Sequence, residues 1–302
     1  MQRPAKPLTP VRFRIQPPLN IMKIGIIGYG FVGKALAKGL DDNVEVFKVD
    51  PILNTNLNDL NNFNPDIIFI CVPTPMNEDL SQDMSILKKI IEEILSLNFD
   101  CLIVLKSTVL PIYIQEIETL IPNFVYNPEF LREKHAEEDF INAELIIFGG
   151  SKDSSDILAN FYRNYSKCIS TDYILTDPTA ASLIKYSINC FLATKVTFFN
   201  EINALFMSSG TKEVWKNFIT AISKDSRIGS SHMDVPGHDG RLGFGGACLP
   251  KDSTAFSIYA ENENRSLSVL KTAISTNNNI RATYNVRTQR ELEQNIKFKG
   301  ES

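Results

Sequence analysis

Lys23-Ile24-Gly25-Ile26-Ile27-Gly28-Tyr29-Gly30-Phe31-Val32-Gly33 decides how the first half of this chain is read. Residues 23–28 form a short apolar run that ends in glycine, as a buried parallel strand does. A helical pattern follows through Phe31, Val32, Leu36 and Leu40. Next comes Val44–Val49, alternating and β-branched, which ends at Asp50. The alternation continues outward: a strand at Ile67–Val72, an amphipathic helix at Met84–Leu97, a strand at Leu102–Leu105 and a helix from Pro111 to about Leu120. Phe124–Tyr126 and Leu145–Phe148 read as two further strands. Strands alternating with helices predict an α/β fold built on a doubly wound parallel sheet.

The pattern changes at Asp177-Pro178, a capping side chain followed by proline in the first helical turn. From Thr179 to about Ser209 neither proline nor glycine interrupts a long helix, with Ile184, Ile188, Phe191 and Leu192 on its apolar side. Gly210-Thr211 ends it and opens a second helix through about Ser223. A loop rich in Gly, Ser and His runs from Asp225 to Leu249. Pro250 then starts another helix, and Leu267–Arg290 reads as one more long helix. The expected division is an extension at 1–21, an α/β domain at 22–178 and an all-helical domain at 179–302. Residues 1–21 hold five prolines and the basic residues Arg3, Lys6, Arg12 and Arg14 without an apolar core, so they read as a disordered extension rather than a signal.

At 302 residues, 43% apolar and with a net charge of -4, the chain gives no reason to expect nucleic-acid or membrane partners. Its five cysteines (Cys71, Cys101, Cys168, Cys190, Cys248) lack CxxC spacing, and His135, His232 and His238 lack metal-ligand spacing. No metal is expected, and the cysteine usage points to a reducing, cytoplasmic location.

Gly28-Tyr29-Gly30-Phe31-Val32-Gly33 matches GxGxxG between a strand and a helix. Gly28 permits the tight turn, Gly30 lets backbone approach a pyrophosphate, and Gly33 lets helix pack on strand. The phosphates would lie at the positive end of the following helix. Asp50, 22 residues beyond Gly28, stands where a carboxylate takes both ribose hydroxyls and repels a 2′-phosphate. The expected cofactor is NAD.

Four further segments carry a resemblance. Cys71-Val72-Pro73-Thr74-Pro75 follows the third strand, and Asn127-Pro128-Glu129-Phe130-Leu131-Arg132-Glu133 follows the strand at 124–126. Lys185-Tyr186-Ser187-Ile188-Asn189 lies on the long helix. Gly243-Phe244-Gly245-Gly246-Ala247-Cys248-Leu249-Pro250-Lys251-Asp252 closes the long loop. Taken in order from Met22 to about Arg281, the chain resembles the UDP-glucose/GDP-mannose dehydrogenase family. The resemblance implies a Rossmann-type first domain and a helical central domain through which subunits dimerise.

It also implies roles. Cys248 becomes the nucleophile that captures an aldehyde and carries a thioester; taken alone, such a cysteine is more often an inert core residue. A helix N-terminus and nearby Lys251 are expected to lower its thiol pKa. Lys185 and Asn189, four apart on one helix face, are placed at the reacting carbon to stabilise negative oxygen, although the spacing by itself equally suits a solvated face. Asp252 is implied as general base, acting with Thr108 through a water, and Glu129 as base for thioester hydrolysis. Thr74, Thr108, Glu133 and Lys251 are implied at the cofactor. Glu129, Phe130, Leu131, Arg132, Lys185, Asn189 and Gly245 are implied at the substrate, with Arg227 reaching the substrate phosphate from a neighbouring subunit.

Two departures accompany the resemblance. Lys134 stands where the family usually has glycine, and only 54 residues follow Cys248 where the family continues into a second Rossmann-like domain, so the sequence reads either as a fragment or as a naturally short form. The implied activity is four-electron oxidation of UDP-glucose to UDP-glucuronate. GDP-mannose or UDP-N-acetylhexosamine substrates, and a catalytically silent NAD-binding or subunit-interaction protein, stay open.

Overall fold

The computed structural model describes residues 21–298. The proline-rich extension lies outside them, apart from its last residue. Among the described residues, strands β1 (Met22–Ile27), β2 (Val44–Val49), β3 (Ile67–Ile70), β4 (Leu102–Leu105), β5 (Phe124–Tyr126), β6 (Ile147–Gly150) and β7 (Ile174–Thr176) form one sheet. Its order is β2-β1-β3-β4-β5-β6-β7. The chain therefore leaves β1 toward one edge and returns on the other side of it as β3, which opens a crevice at the carboxyl ends of these strands.

Side chains alternate between the two faces of each strand. Ile67 and Phe69 join Ile24, Leu36, Phe140 and Phe161 on one face. Ile68 and Ile70 join Leu60, Ile91 and Ile117 on the other. The first face is covered by α1 (Phe31–Lys38), α5 (Ala136–Ile141) and α6 (Lys152–Tyr165), the second by α2 (Leu57–Phe63), α3 (Ser85–Leu97) and α4 (Pro111–Leu120). Both faces are buried, so the central strands are continuous apolar runs, and the unbroken run rather than any alternation marks them in the sequence.

The sheet differs from expectation in two strands: β6 and β7 run opposite to β1–β5, and β7 is not among the strands read from the sequence. β6 runs antiparallel to β5, pairing Tyr126 with Gly149, while the other neighbouring pairs are parallel. The chain leaves β5 at the carboxyl edge, and its short helix α5 docks on α1 there instead of recrossing the sheet. It then enters β6 from that same edge and runs back.

Helix α7 (Pro178–Ser208) starts as read, with the Asp177 carboxylate accepting from the Ala180 N–H at 2.8 Å. It packs on α4 and β6 on one side and on α9 (Leu249–Asn262) and α10 (Ser268–Arg281) on the other. This helix is the spine joining the sheet to the helical half. Helix α8 (Trp215–Ile222) begins later than its Gly210-Thr211 signal. The long helix expected over 267–290 stops at Arg281, and a separate short helix α11 (Gln289–Glu293) follows a Thr288 capping box. Arg281 is buried in ion pairs with Asp239 and Glu291, which requires the chain to fold back toward its own helix end.

Candidate active site

The Gly28–Gly33 turn sits in the crevice opened by the strand order. Gly28 has φ +89°, and a Cβ there would lie 2.8 Å from the Cys71 carbonyl; one on Gly33 would lie 2.3 Å from the Gly28 carbonyl oxygen. Gly30, the N-cap of α1, has nothing within 4 Å of its Cβ direction. Two glycines thus close the turn and the third leaves space at an open helix N-terminus, the arrangement a pyrophosphate needs. Asp50 ends β2 beside it, one carboxylate oxygen accepting from the Tyr29 N–H at 2.7 Å and the other from the Ile52 N–H at 3.0 Å. Phe31 and Val32 pack partly into the core below. The residues present fit a dinucleotide. Thr74 is buried in the loop after β3, whose first residues Cys71 and Val72 abut Gly28, and donates to the Thr108 carbonyl at 2.8 Å.

The second constellation comes from three distant stretches. Glu129 follows β5, Lys185 and Asn189 project from α7, and Cys248, Lys251 and Asp252 form the start of α9. Lys185 is 3% exposed and donates to the Glu129 backbone carbonyl and, at 3.3 Å, to its carboxylate. The other Glu129 oxygen accepts from the Leu131 N–H at 2.6 Å. Asn189 donates to one oxygen of Asp252 at 2.6 Å, and Lys251 pairs with the other at 2.5 Å. Asp252 is 1% exposed. The i,i+4 spacing on α7 therefore addresses two different carboxylates from one buried helix face, not a solvated one. The Lys185 ammonium also lies 5.0 Å from the Phe130 ring centroid.

Burial works against the charge on Lys185, but Glu129, Asp252 and Cys248 outweigh it and hold the ammonium above its ordinary value. Cys248 goes the other way. Burial, followed by the nearby Glu129 and Asp252 carboxylates, pushes its thiol up to about 12, against the opposing pull of Lys185 and Lys251. The expectation of a lowered thiol pKa is corrected on this point: Lys251 pulls as expected, yet its charge is already spent on Asp252. A nucleophilic step at neutral pH then requires a group that removes the thiol proton.

Other sequence-selected residues stand apart. Arg132 is exposed and paired with Asp139 at 2.6 Å. Arg227, its side chain 85% exposed, pairs with Asp225 at 2.5 Å, and no hydrogen bond or ion pair links it to the Lys185–Asp252 group among the described residues. Glu133 is bound by Arg290 at 2.9 Å. The space beside Gly245 is filled by Arg281, whose Nη2 would lie 1.2 Å from a Cβ there. Thr108 shares no direct hydrogen bond with Asp252 among the described residues.

Two buried polar groups escaped the sequence reading. Gln82 donates to the carbonyl of Thr108 at 2.8 Å and contacts the Tyr186 hydroxyl at 3.2 Å, tying the Thr74–Thr108 loops to α7. It sits among other polar loop residues and gave no signal. Lys106 donates to the Asn127 side chain at 2.9 Å, and burial lowers its pKa to about 8. A lysine extending the apolar run Leu102–Leu105 toward the carboxyl end of a central strand was the available clue.

Comparison with known proteins bears on this geometry. Residues 55–166 match the NAD binding domain of the UDP-glucose/GDP-mannose dehydrogenase family, and residues 179–279 match its central domain. The chain belongs to this family. The first match begins downstream of Gly28–Asp50, so the glycine turn rests on the geometry above. The chain is similar to the UDP-glucose 6-dehydrogenase of Rickettsia bellii, 36% identical over 222 residues that cover 71% of this chain and 49% of that protein. It spans about half the length of such curated relatives. Among solved structures, a UDP-glucose dehydrogenase from Pyrobaculum islandicum superposes with a TM-score of 0.69 at 25% identity, covering 87% of this chain and 69% of that one. A GDP-mannose dehydrogenase from Pseudomonas aeruginosa gives 0.57 at 25% identity, covering 88% and 72%.

Cys248 can be interrogated directly through its thiol's position on the pH scale. Because its pKa is raised, the neutral form persists well above pH 7, and the thiolate fraction still climbs through pH 10. Alkylation of Cys248 by iodoacetamide, followed by peptide mass spectrometry, is expected to accelerate across pH 7–10 without a plateau. A plateau near neutrality contradicts the electrostatics described.

Proposed function

We propose that this chain oxidises the primary alcohol carbon of a nucleotide sugar, UDP-glucose, to the carboxylate, in two oxidations separated by covalent capture on Cys248. The convergence of Glu129, Lys185, Asn189, Cys248 and Asp252 from three separate stretches is the observation that carries this reading. Membership of a dehydrogenase family, and the name of the Rickettsia relative, support the substrate class.

The Gly28–Gly33 turn and Asp50 would hold NAD, with Thr74, Thr108, Glu133 and Lys251 as the further residues expected at it, and one NAD for each oxidation would supply the hydride acceptor. The protein's own side chains do the remainder. Asp252 takes the alcohol proton through a water shared with Thr108, while charged Lys185 and the Asn189 amide face the oxygen as negative charge builds on it. At the aldehyde stage the Cys248 sulfur bonds to the carbonyl carbon. The thiol proton passes to a neighbouring carboxylate, and the carbonyl electron pair moves to the oxygen, giving a thiohemiacetal oxyanion beside the Lys185 ammonium. Oxidation of that adduct leaves a thioester. Glu129 then deprotonates water, which attacks the acyl carbon; the carbon–sulfur bond breaks and the thiol returns. Phe130, Leu131, Arg132 and Gly245 would line the sugar, and Arg227 would reach its phosphate from a second subunit.

A dimer is part of this reading. Phe191, Phe198 and Leu205 recur every seven residues on α7 and are 65%, 55% and 65% exposed. Residues at that spacing share a face, and bulky apolar groups there favour burial against a second α7. The five cysteines are all free, which supports placing the protein in the reducing cytoplasm. No helix among the described residues is long and apolar enough to cross a membrane.

Two measurements check these points. Purified protein given NAD and a panel of nucleotide sugars is expected to make NADH with UDP-glucose, and Cys248→Ser to lose acid formation by at least about 10³-fold. NADH formation from none of the sugars removes the activity. Light scattering is expected to report a dimer that becomes a monomer in Phe198→Glu/Leu205→Glu; an unchanged mass places the interface elsewhere.

A further inference from the structure

The Gly243–Gly246 stretch leading to Cys248 is held from outside the loop. Gly243 and Gly246 have φ of +75° and +78°, and three N–H groups here are taken by side chains of other elements. Gly243 donates to Asn200 of α7 at 2.9 Å, Phe244 to Asn277 of α10 at 2.6 Å, and Gly246 to Glu291 of α11 at 3.4 Å. Asn277 returns a bond to the Phe244 carbonyl at 3.0 Å.

Behind the loop lies Arg281. Its guanidinium donates to Asp239 at 2.6 Å and Glu291 at 3.0 Å and fills the space a Cβ on Gly245 would take. Glu291, 0% exposed, uses one oxygen on Arg281 and Gly246 and the other on its own helix cap at the Thr288 N–H, 2.7 Å away. From α11 the chain runs to the loop after β3. There Met76 donates from its N–H to the Gln294 carbonyl at 3.2 Å, Asn295 donates to the Met76 carbonyl at 3.1 Å, and Ile296 and Phe298 pack on Met76. Arg290, between these contacts, pairs with Glu133 and lies 5.7 Å from the Phe31 ring centroid.

We propose that Arg281 and Glu291 are positioning residues for Cys248, and that residues 288–298 form a strap setting the distance between the nucleophile loop and the dinucleotide turn. The inference rests on the role proposed above for Cys248. One end of the strap grips the loop through Glu291. The other grips the segment next to Thr74 and, through Arg290, the start of α1. A buried arginine–glutamate pair is often replaceable by apolar residues without loss of stability, so stability alone does not account for it. Reacting groups, by contrast, are sensitive to displacements of about 1 Å, which cost on the order of 10²-fold in rate.

The test uses the full chain and the triple variant Asp239→Asn/Arg281→Met/Glu291→Leu, which leaves no lone buried charge from this cluster, Asp239 being the second carboxylate on Arg281. The variant is expected to fold and bind NAD like the parent by calorimetry, to lose roughly 10- to 100-fold in kcat, and to alkylate at Cys248 roughly tenfold faster as the loop loosens. A folded variant with unchanged kcat and unchanged alkylation overturns the proposal. Hydrogen exchange on the unaltered protein decides independently, even if the variant fails to fold: the Gly243, Phe244 and Gly246 amides are expected to be protected, and free exchange at all three overturns the clamp. If the unaltered protein oxidises no nucleotide sugar, alkylation and exchange still judge the strap, and only the functional reading falls.

Discussion

Four buried charges set against one another organise this protein: Lys185 with Glu129, and Lys251 with Asp252. Each group alone would cost several kcal/mol to remove from water. Pairing makes them tolerable, and it can be achieved only if the segment after β5, the middle of α7 and the first turn of α9 meet at one place. The fold answers that requirement. The uninterrupted run of α7 carries Lys185 and Asn189 to the sheet's carboxyl edge, and Pro250 starts α9 so that Lys251 and Asp252 fall in its first turn.

The same pairing sets the state of the sulfur. Two lysines and two carboxylates leave no surplus positive charge for Cys248, and the two carboxylates raise its thiol further. On the reading proposed above, such a site keeps Cys248 protonated and has a carboxylate at hand to accept its proton.

Much of this arrangement was legible in the sequence, for identifiable reasons. Buried parallel strands are continuous apolar runs, so Ile67–Ile70 and Leu102–Leu105 declared themselves, as did the glycine turn through the distinct demands on Gly28, Gly30 and Gly33. The carboxylates and amines were found because their segments matched a family in order. What stayed hidden depended on tertiary contact. Nothing local marks β6 as antiparallel, because its direction is set where α5 docks on α1. The break after Arg281 follows from ion pairs with Asp239 and Glu291, two residues remote from it in sequence or in a different element. Gln82 and Lys106 are polar residues whose burial only the packed loops reveal. A helix N-terminus and Lys251 point to a lowered thiol pKa in the sequence, but neither shows the burial or the Glu129 and Asp252 carboxylates that raise it.

Covalent capture on one sulfur is the claim on which the functional account turns. Glu129→Gln should slow thioester hydrolysis while leaving an acceptor for Lys185, so the adduct should accumulate. Intact-protein and peptide mass spectrometry after incubation with UDP-glucose and NAD is the direct measurement. The account predicts a mass increase of one UDP-glucuronyl group on the peptide that bears Cys248, removed by hydroxylamine. An unmodified Cys248 peptide in protein that is turning over would contradict it.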